Sequence, residues 1–280
     1  MSRVSVLMPV YKTDEVYLRE AIESILNQTY TDFELLILDD CPEDTREDIV
    51  TSYNDSRIKY FKNEKNLGIT PSRNKLIDLA KGEYLAVFDH DDVAFLTRFE
   101  EQVRVLDANQ EIGIVGCYTE ILPNKKVVRF PEHNEQIEQY LMQGCAVPHT
   151  GAMIRASILP NDPYEAEFSP SEDYALWCRL IGKTKFYNIP HILMKYRIHD
   201  NNTTKTQSDK MSAATRAIRE FVHRAQPTVW KNVCDYAPHI IRLKLFGIIP
   251  LGRFKQKGNI RKGILKYLPF ITLKAKQEVK

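Results

Sequence analysis

An acidic cluster that directly follows an apolar run has the clearest chemical potential in this sequence. The run Tyr84–Phe88 predicts a buried strand, and it ends in Asp89-His90-Asp91-Asp92. Asp89 and Asp91 are two residues apart, so in extended backbone their side chains point to the same side. Crowded carboxylates repel one another unless a cation lies between them, and oxygen ligands favour Mg2+ or Mn2+. The spacing therefore predicts a divalent-metal site; the alternative is a polar loop in which Asp92 caps the next helix.

A second acidic pair, Glu172-Asp173, follows Ser171 and precedes apolar residues at helical spacing. This pattern predicts a helix that begins at the pair. A carboxylate at a helix N-terminus stays ionised and is ready to accept a proton. The alternative is an N-terminal capping pair with a purely structural role.

Strands and helices alternate through the first 110 residues, with short connections between them. This alternation predicts an α/β fold with a parallel sheet, right-handed crossovers and a Rossmann-like nucleotide-binding half. The predicted strands are Val4–Val10, Phe33–Leu38, Ile58–Phe61 and Tyr84–Phe88, and helices are predicted from Asp14, after Asp40, from Thr70-Pro71 and over Leu96–Asn109. Thr70 is predicted as the N-cap of its helix and Pro71 as the first helical residue. No GxGxxG follows the first strand, so a dinucleotide cofactor is not expected.

The pattern changes after residue 110, where short strands become more frequent. Strands are predicted over Ile112–Cys117, Tyr118–Leu122, Val127–Phe130, Val147–Ile154, Lys185–Ile189 and Ile192–Tyr196, with a hairpin turn at Pro123-Asn124 and a helix over Gln136–Met142. Arg197–Asp209 is predicted as a polar loop that contains His199, and helices are predicted for most of the remainder.

The last forty residues form a region of distinct charge. Residues 241–280 hold 11 Lys and Arg but a single acidic residue, Glu278, although the whole chain of 280 residues has a net charge of only +2. Basic and apolar residues alternate there, which suits an anionic membrane surface; the alternative is a solvated tail with a packed helix. Nucleic acid is not an expected partner, because no recognised nucleic-acid-binding fold is present.

Five cysteines lack metal-binding spacing and are predicted to be reduced thiols. Neither a signal peptide nor a run of about 18 apolar residues is found. We therefore expect a cytoplasmic location, with contact to the cytoplasmic face of the inner membrane through the basic C-terminus.

Seven short motifs together resemble those of bacterial glycosyltransferases of family 2, inverting enzymes with the GT-A fold. They are Pro9-Val10-Tyr11, Ser24–Tyr30, Glu34–Asp40, Asn66-Leu67-Gly68 with Arg73-Asn74, Gly82–Asp92, Glu172-Asp173 and Tyr196-Arg197-Ile198-His199. They occur in the family's order between residues 4 and about 200. The resemblance implies a GT-A, Rossmann-like, mostly parallel sheet flanked by helices over residues 1–205, with a nucleotide-binding half (1–110) and an acceptor-binding half (111–205). Residues 206–280 are predicted to form a helical, basic C-terminal extension.

The resemblance also implies roles for individual residues toward a nucleotide-diphosphate sugar, expected to be a UDP-sugar. The donor-side residues are Pro9, Tyr11 (stacking on the base), Asp39 (accepting a base N–H), Arg73 (near the diphosphate or base) and Asp89 (on the ribose side and at the metal). Asp91 would bind Mn2+ or Mg2+ directly. For Tyr11 and Arg73 the alternatives are a packed tyrosine at a strand end and a surface arginine.

On the acceptor side, the resemblance implies that Asp173 is the general base and that Glu172 contacts substrate. His199 resembles a position on a loop that closes over the donor, where it would reach the metal or diphosphate; the alternative is a solvent-exposed histidine. His149, which follows Pro148 near the start of a predicted strand, is predicted to line the acceptor side, with a core or surface role as the alternative. The expected reaction transfers a sugar to a hydroxyl of a cell-surface glycan or lipid-linked acceptor. Two alternatives stay open: a nucleotidyltransferase of similar fold, and a non-catalytic carbohydrate-binding or scaffold protein.

Overall fold

The first half of the chain forms the parallel part of a sheet. In a computed structural model, which describes residues 2–200 and 202–236, four strands pair side by side in the order β3-β2-β1-β4, all parallel. The elements are β1 (Val4–Val10), α1 (Glu15–Leu26), β2 (Phe33–Asp39), α2 (Glu47–Thr51), β3 (Ile58–Lys62), α3 (Ile69–Leu79) and β4 (Tyr84–Val87). The predicted Rossmann-like half is confirmed.

The second half extends the same sheet with strands of mixed direction. Its elements are β5 (Val93–Ala94), α4 (Arg98–Ala108), β6 (Ile112–Leu122), β7 (Lys126–Val128), α5 (Asn134–Leu141), β8 (Met153–Arg155), α6 (Glu172–Leu180), β9 (Lys185–Arg197), α7 (Thr203–Thr206), α8 (Ser208–Ala225) and α9 (Pro227–Tyr236). Beyond β4 the order is β8-β6-β9-β5, and β7 pairs with β6. Strand β8 is antiparallel to both β4 and β6, whereas β9 runs parallel to β6. The α/β prediction with a largely parallel sheet is confirmed.

The core lies between the sheet and the helices that cross it. Every residue of β1 and β2 is buried, as expected for parallel strands covered on both faces. Helix α1 buries Leu18, Ala21, Ile22 and Ile25 completely, which is the i, i+3, i+4, i+7 stripe of an amphipathic helix. Truncating Ile22 to Ala would cost roughly 2–5 kcal/mol of unfolding free energy.

The start of α3 differs from the prediction. The helix begins at Ile69 with Gly68 as N-cap, so Thr70 and Pro71 are its second and third residues. Gly68 has φ +86°, a conformation that favours glycine. The Asp40 carboxylate accepts the backbone N–H groups of Leu67 and Gly68 at 2.8 and 2.7 Å, and these bonds set the turn. Asp40 thus holds the loop that precedes α3.

Several predicted strands have different bounds. Two pairs of predicted strands are each merged into one strand, β6 and β9. Register shifts in the pairing between β6 and β9 accommodate irregular residues, so that each strand continues without a break. The predicted strand Val147–Ile154 is shortened at its start, because Gly151 and Ala152 donate turn bonds to Pro148 and His149. The predicted polar loop after Arg197 contains the short helix α7 and the start of α8.

Helix α8 packs against the rest of the compact part of the chain. Ile218 and Val222 are fully buried, and His223 Nε2 lies 2.8 Å from the carbonyl oxygen of Met142. The compact unit runs to Val233, so residue 205, the predicted end of the GT-A domain, lies inside it. The basic segment 241–280 lies outside the described residues. Among the helices that are described, none is long and apolar enough to cross a membrane.

Candidate active site

Arg73 contacts two other predicted site residues, Asp89 and Glu172. Its Nη2 donates to Asp89 Oδ1 at 3.1 Å, and its Nη1 donates to Glu172 Oε1. The guanidinium also lies over the Tyr164 ring, 5.9 Å from the centroid. Burial alone would lower the pKa of Arg73, but the facing carboxylates Asp89 and Glu172 raise it above its usual value. Arg73 is therefore paired with two carboxylates of the protein itself.

Asp173 lies beside this bridge, in the first turn of α6. Burial and the neighbouring Glu172 raise the pKa of Asp173 to about 6, and the charge of Arg73 opposes that rise. The sequence predicts that the helix start keeps this carboxylate ionised; the structure adds that burial makes it a stronger base than a surface aspartate. A carboxylate with a pKa near 6 is ionised at neutral pH and takes up a proton readily. Its Oδ2 lies 3.9 Å from the thiol of Cys145.

The acidic loop after β4 is held by two other parts of the chain, at Thr150 and at the segment Arg197–His199. Asp91 Oδ2 lies 2.7 Å from His199 Nε2. The Asp89 backbone N–H donates to Thr150 Oγ1 at 3.0 Å. Asp92 is buried and accepts the backbone N–H of Arg197 at 2.8 Å, so it binds the end of β9 and does not cap α4, whose N-cap is Thr97. Burial and the charges of Asp91 and Asp89 raise the pKa of Asp92 well above its usual range.

Asp91 and His199 are the residues best placed to hold a divalent metal ion. Among the described residues there is no ready-made cluster of three or more His, Cys, Asp or Glu side chains. The Asp89 carboxylate binds Arg73 instead. Mg2+ and Mn2+ are often bound through one or two protein side chains together with substrate phosphates. The facing oxygen and imidazole nitrogen fit that kind of site.

The predicted base-side residues lie at the carboxyl ends of β1 and β2, as open α/β sheets require of a ligand site. Tyr11 is 42% exposed there, so its ring is accessible. Pro9 is buried inside β1. Asp39 is fully buried and accepts bonds from the backbone N–H groups of Cys41 and Arg46 and from the Tyr60 hydroxyl. Asp39 therefore shapes the loop after β2, whatever else it binds.

His149 joins the site through Tyr164. Its Nε2 lies 2.8 Å from the Tyr164 hydroxyl, and its ring centroid is 6.1 Å from that of Trp177. Burial and the nearby positive charge of Arg73 lower the pKa of His149 to about 3. The imidazole is therefore neutral at physiological pH and can only donate or accept hydrogen bonds.

Three further residues support the site and were not assigned roles from the sequence. Asn74 pairs with both backbone groups of Tyr164, at 2.8 and 3.0 Å, and so joins α3 to the second half. Arg197 Nε donates to the carbonyl oxygen of Asp91 at 2.8 Å. Asn74 and Arg197 both belong to motifs that resemble those of the family, so their positions in the sequence could have indicated a role.

Arg98 carries no such signal, because an arginine on an amphipathic helix is normally exposed. It is completely buried and donates to the carbonyl oxygens of Val87 and Ala152 at 2.9 and 3.2 Å. Burial lowers its pKa to about 10. Arg98 therefore fixes the end of β4 against the start of β8, directly beneath the acidic loop.

Comparison with known families decides the identity. The model of glycosyl transferase family 2 matches residues 5–159, more than half of the chain. This chain belongs to glycosyl transferase family 2. It is a glycosyltransferase. The family match therefore favours the predicted glycosyltransferase over the nucleotidyltransferase and scaffold alternatives. Members of this family generally use a divalent metal.

Relatives with glycosyltransferase names align over most of the family 2 chain. An uncharacterized glycosyltransferase of Methanocaldococcus jannaschii is 33% identical over 254 residues, 87% of this chain and 84% of that protein. The Escherichia coli enzyme UDP-Glc:alpha-D-GlcNAc-diphosphoundecaprenol beta-1,3-glucosyltransferase WfgD is 27% identical and covers 78% of this chain and 86% of its own.

Solved structures confirm the GT-A fold. The structure of Staphylococcus aureus TarS 1–349 in complex with UDP-GlcNAc superposes with a TM-score of 0.64 at 18% identity. The superposition covers 77% of this chain and 65% of the TarS chain, so the family 2 chain spans slightly less than two thirds of that structure. At this identity the likeness establishes the fold alone.

Proposed function

We propose that this family 2 enzyme is an inverting, metal-assisted glycosyltransferase that moves a sugar from a UDP-sugar to a hydroxyl of a cell-surface glycan or lipid-linked acceptor. One observation carries the proposal: Arg73 binds Asp89 and Glu172 together. This contact joins the acidic loop, where a metal and diphosphate would lie, to the helix that presents Asp173.

A UDP-sugar donor is supported by the printed names of relatives and by the geometry. The E. coli relative is named for UDP-Glc, and TarS was crystallised with UDP and with UDP-GlcNAc. In this chain, the exposed ring of Tyr11 offers a stacking surface for a base at the carboxyl end of β1. We assign the base to this edge, where Asp39 would accept a base N–H and Pro9 would lie on the donor side.

Two unpaired polar atoms, one on Arg73 and one on Glu172, support binding of a sugar. Among the described residues, Arg73 Nε and Glu172 Oε2 are buried without a hydrogen-bond partner. Such groups are rarely left unpaired in a native structure. One is a donor and the other an acceptor, which suits the hydroxyl groups of a sugar.

Asp91 and His199 would hold the metal ion, with Asp89 on the ribose side of the donor. A bound divalent ion would neutralise the charge that develops on the departing diphosphate. The position of Arg73 beside Asp89 also keeps a positive charge close to the acidic loop, which limits repulsion between these carboxylates and an anionic donor.

Asp173 would act on the acceptor. Its carboxylate accepts the proton of the acceptor hydroxyl while that oxygen forms a bond to the anomeric carbon. The bond between the anomeric carbon and the diphosphate oxygen breaks on the opposite face, and the electron pair leaves with the nucleotide diphosphate. Attack from the face opposite the leaving group inverts the anomeric configuration. His149, which is neutral and contacts the Tyr164 hydroxyl, would orient the acceptor.

A lipid-linked acceptor is supported by the name of the E. coli relative, which specifies a diphosphoundecaprenol acceptor. The basic, partly apolar segment 241–280 would bring the enzyme to the cytoplasmic face of the inner membrane, where anionic lipids attract Lys and Arg at roughly 1 kcal/mol each. Removing this segment should abolish co-sedimentation with anionic vesicles and leave nucleotide-sugar hydrolysis unchanged. Equal sedimentation of both proteins would refute the membrane contact.

The function is tested by turnover of a panel of nucleotide sugars with Mn2+, with Mg2+ and with EDTA. Asp91→Asn and Asp173→Asn are compared with Asp200→Asn, a control whose side chain is fully exposed next to His199. We expect metal-dependent turnover of one UDP-sugar by the wild type and the control, and loss of turnover in the other two variants. Turnover in EDTA, or of no nucleotide sugar at all, would overturn the proposal.

A further inference from the structure

The segment that follows β9 returns to the acidic loop and delivers His199 to it. Arg197 donates its backbone N–H to Asp92 Oδ1 and its Nε to the Asp91 carbonyl oxygen, both at 2.8 Å. Two residues further, His199 Nε2 reaches Asp91 Oδ2. Asn202 closes the turn, since it donates to the Arg197 carbonyl oxygen at 3.2 Å and accepts the His199 backbone N–H.

Helix α1 supports this segment from the other side. The guanidinium carbon of Arg197 lies 4.3 Å from the centroid of the Tyr17 ring, and the ring of His199 lies 5.6 Å from the same ring. Glu20, three residues further along the same helix face, forms an ion pair with Arg197 Nη2. Tyr17 and Glu20 therefore contact the segment at its first residue, and Tyr17 also contacts the histidine.

We propose that Tyr17 and Glu20 are positioning residues that hold His199 at Asp91. This inference rests on the proposed function, in which Asp91 and His199 hold the metal. A ligand on a loop keeps its geometry only if groups behind it fix its orientation, and changes in such groups typically weaken metal binding 10–100-fold. Here the supporting groups lie on a helix of the nucleotide-binding half, outside every motif that suggested the site.

The two supporting contacts differ in expected strength. The face of an aromatic ring attracts a cation and also packs against the imidazole, so Tyr17 restrains both Arg197 and His199. The ion pair of Glu20 is 48% exposed at its carboxylate and is therefore weakened by solvent. We expect the ring to matter more than the carboxylate. Both side chains are at least partly exposed, so replacing them opens no cavity in the core.

The test measures Mn2+ affinity by isothermal titration calorimetry and hydrogen exchange of the segment around His199 in metal-free protein. Tyr17→Ala should weaken Mn2+ binding roughly tenfold and speed exchange. Glu20→Gln should weaken binding about threefold. Tyr17→Phe keeps the ring and should behave like the wild type. Glu15→Gln is the matched control, because it removes an ion pair with Arg19 on the same helix.

The two readouts separate this inference from the proposed function. Unchanged Mn2+ affinity and unchanged exchange in Tyr17→Ala would overturn the positioning role, whatever the enzyme's activity. If the wild type binds no Mn2+ but Tyr17→Ala still accelerates exchange, the support of the segment by α1 stands and the metal assignment fails. A Tyr17→Phe variant as weak as Tyr17→Ala would also refute the role of the ring.

Discussion

The acidic loop Asp89–Asp92 and the pair Glu172-Asp173 share one arginine, yet their surroundings differ. Arg73 binds Asp89 from the first group and Glu172 from the second. In each group, the carboxylate to which we assign a chemical role has a different neighbour. Asp91 faces the imidazole of His199, whereas Asp173 faces the thiol of Cys145.

This difference separates two kinds of chemistry. An imidazole nitrogen and a carboxylate oxygen that face each other are two metal-ligand atoms in one place. A carboxylate in a buried setting without a cation bonded to it gains proton affinity, and the pKa of Asp173 rises to about 6. Arg73 pairs with Asp89 and Glu172. Asp91 is thereby left suited to binding a metal ion, and Asp173 is left suited to accepting a proton.

The largest expected effect comes from removing the proton acceptor. Asp173→Asn keeps the size of the side chain and cannot take up the acceptor proton, so kcat should fall by about 10²–10⁴. Product formation from the UDP-sugar found in the donor panel is the measurement. A loss of less than tenfold would show that another group accepts the proton.

Asp91→Asn should have the next largest effect, because an amide is a poorer ligand for a divalent ion. Turnover at fixed Mn2+ should fall about a hundredfold, and higher Mn2+ should restore part of it. Titrating Mn2+ against turnover tests this. If added metal gives no recovery and the variant is folded, Asp91 has a role other than metal binding.

Arg73→Met tests whether the shared arginine tunes Asp173. The charge of Arg73 lowers the pKa of Asp173, so its removal should move the acidic limb of the pH profile of kcat/KM from about 6 to higher pH. It also leaves Glu172 buried without its cation, which should cost about 3–5 kcal/mol of unfolding free energy. Arg73→Lys keeps the charge and is the control. An acidic limb that stays at the same pH would contradict this coupling.

The smallest expected effect is on stability. The folded pKa of Asp173 is raised above its unfolded value of about 3.8, so the ionised form destabilises the fold as pH rises through about 6. Above pH 6 this pKa difference is worth about 3 kcal/mol. Asp173→Asn should therefore raise Tm by roughly 6–12 °C at pH 8 and leave it unchanged below pH 4. Calorimetric melts at both pH values check this, and stabilisation that persists at low pH would point to another cause.

Much of the fold could be predicted from the sequence. Continuous apolar runs such as Val4–Val10 and the spacing of Leu18, Ala21, Ile22 and Ile25 are local signals, and the structure follows them. The start of α3 was missed because the bonds from Asp40 to Leu67 and Gly68 are formed across 27 and 28 residues. The merging of strands into β6 and β9 likewise depends on pairing partners far along the chain.

Residue type and spacing were enough to propose candidates for the site, and their roles stay predictions. Asp91 and His199 were both identified, and the structure brings them together across 108 residues. The pairing of Arg73 with protein carboxylates was not foreseen, since it needs the fold to bring Glu172 to α3. Arg98 and Tyr17 were missed for a similar reason: their burial or contacts come from tertiary packing, and neither lies in a recognisable motif.

Calorimetric titration of UDP in the presence of Mn2+ tests the separation of metal and proton chemistry most directly. The wild type, Asp91→Asn and Asp173→Asn are compared after circular dichroism has shown that all three are folded. We predict that Asp173→Asn binds UDP within about twofold of the wild type although it transfers no sugar, and that Asp91→Asn loses the Mn2+-dependent part of UDP binding. Equal loss of UDP binding in both variants, or loss in Asp173→Asn alone, would contradict the account.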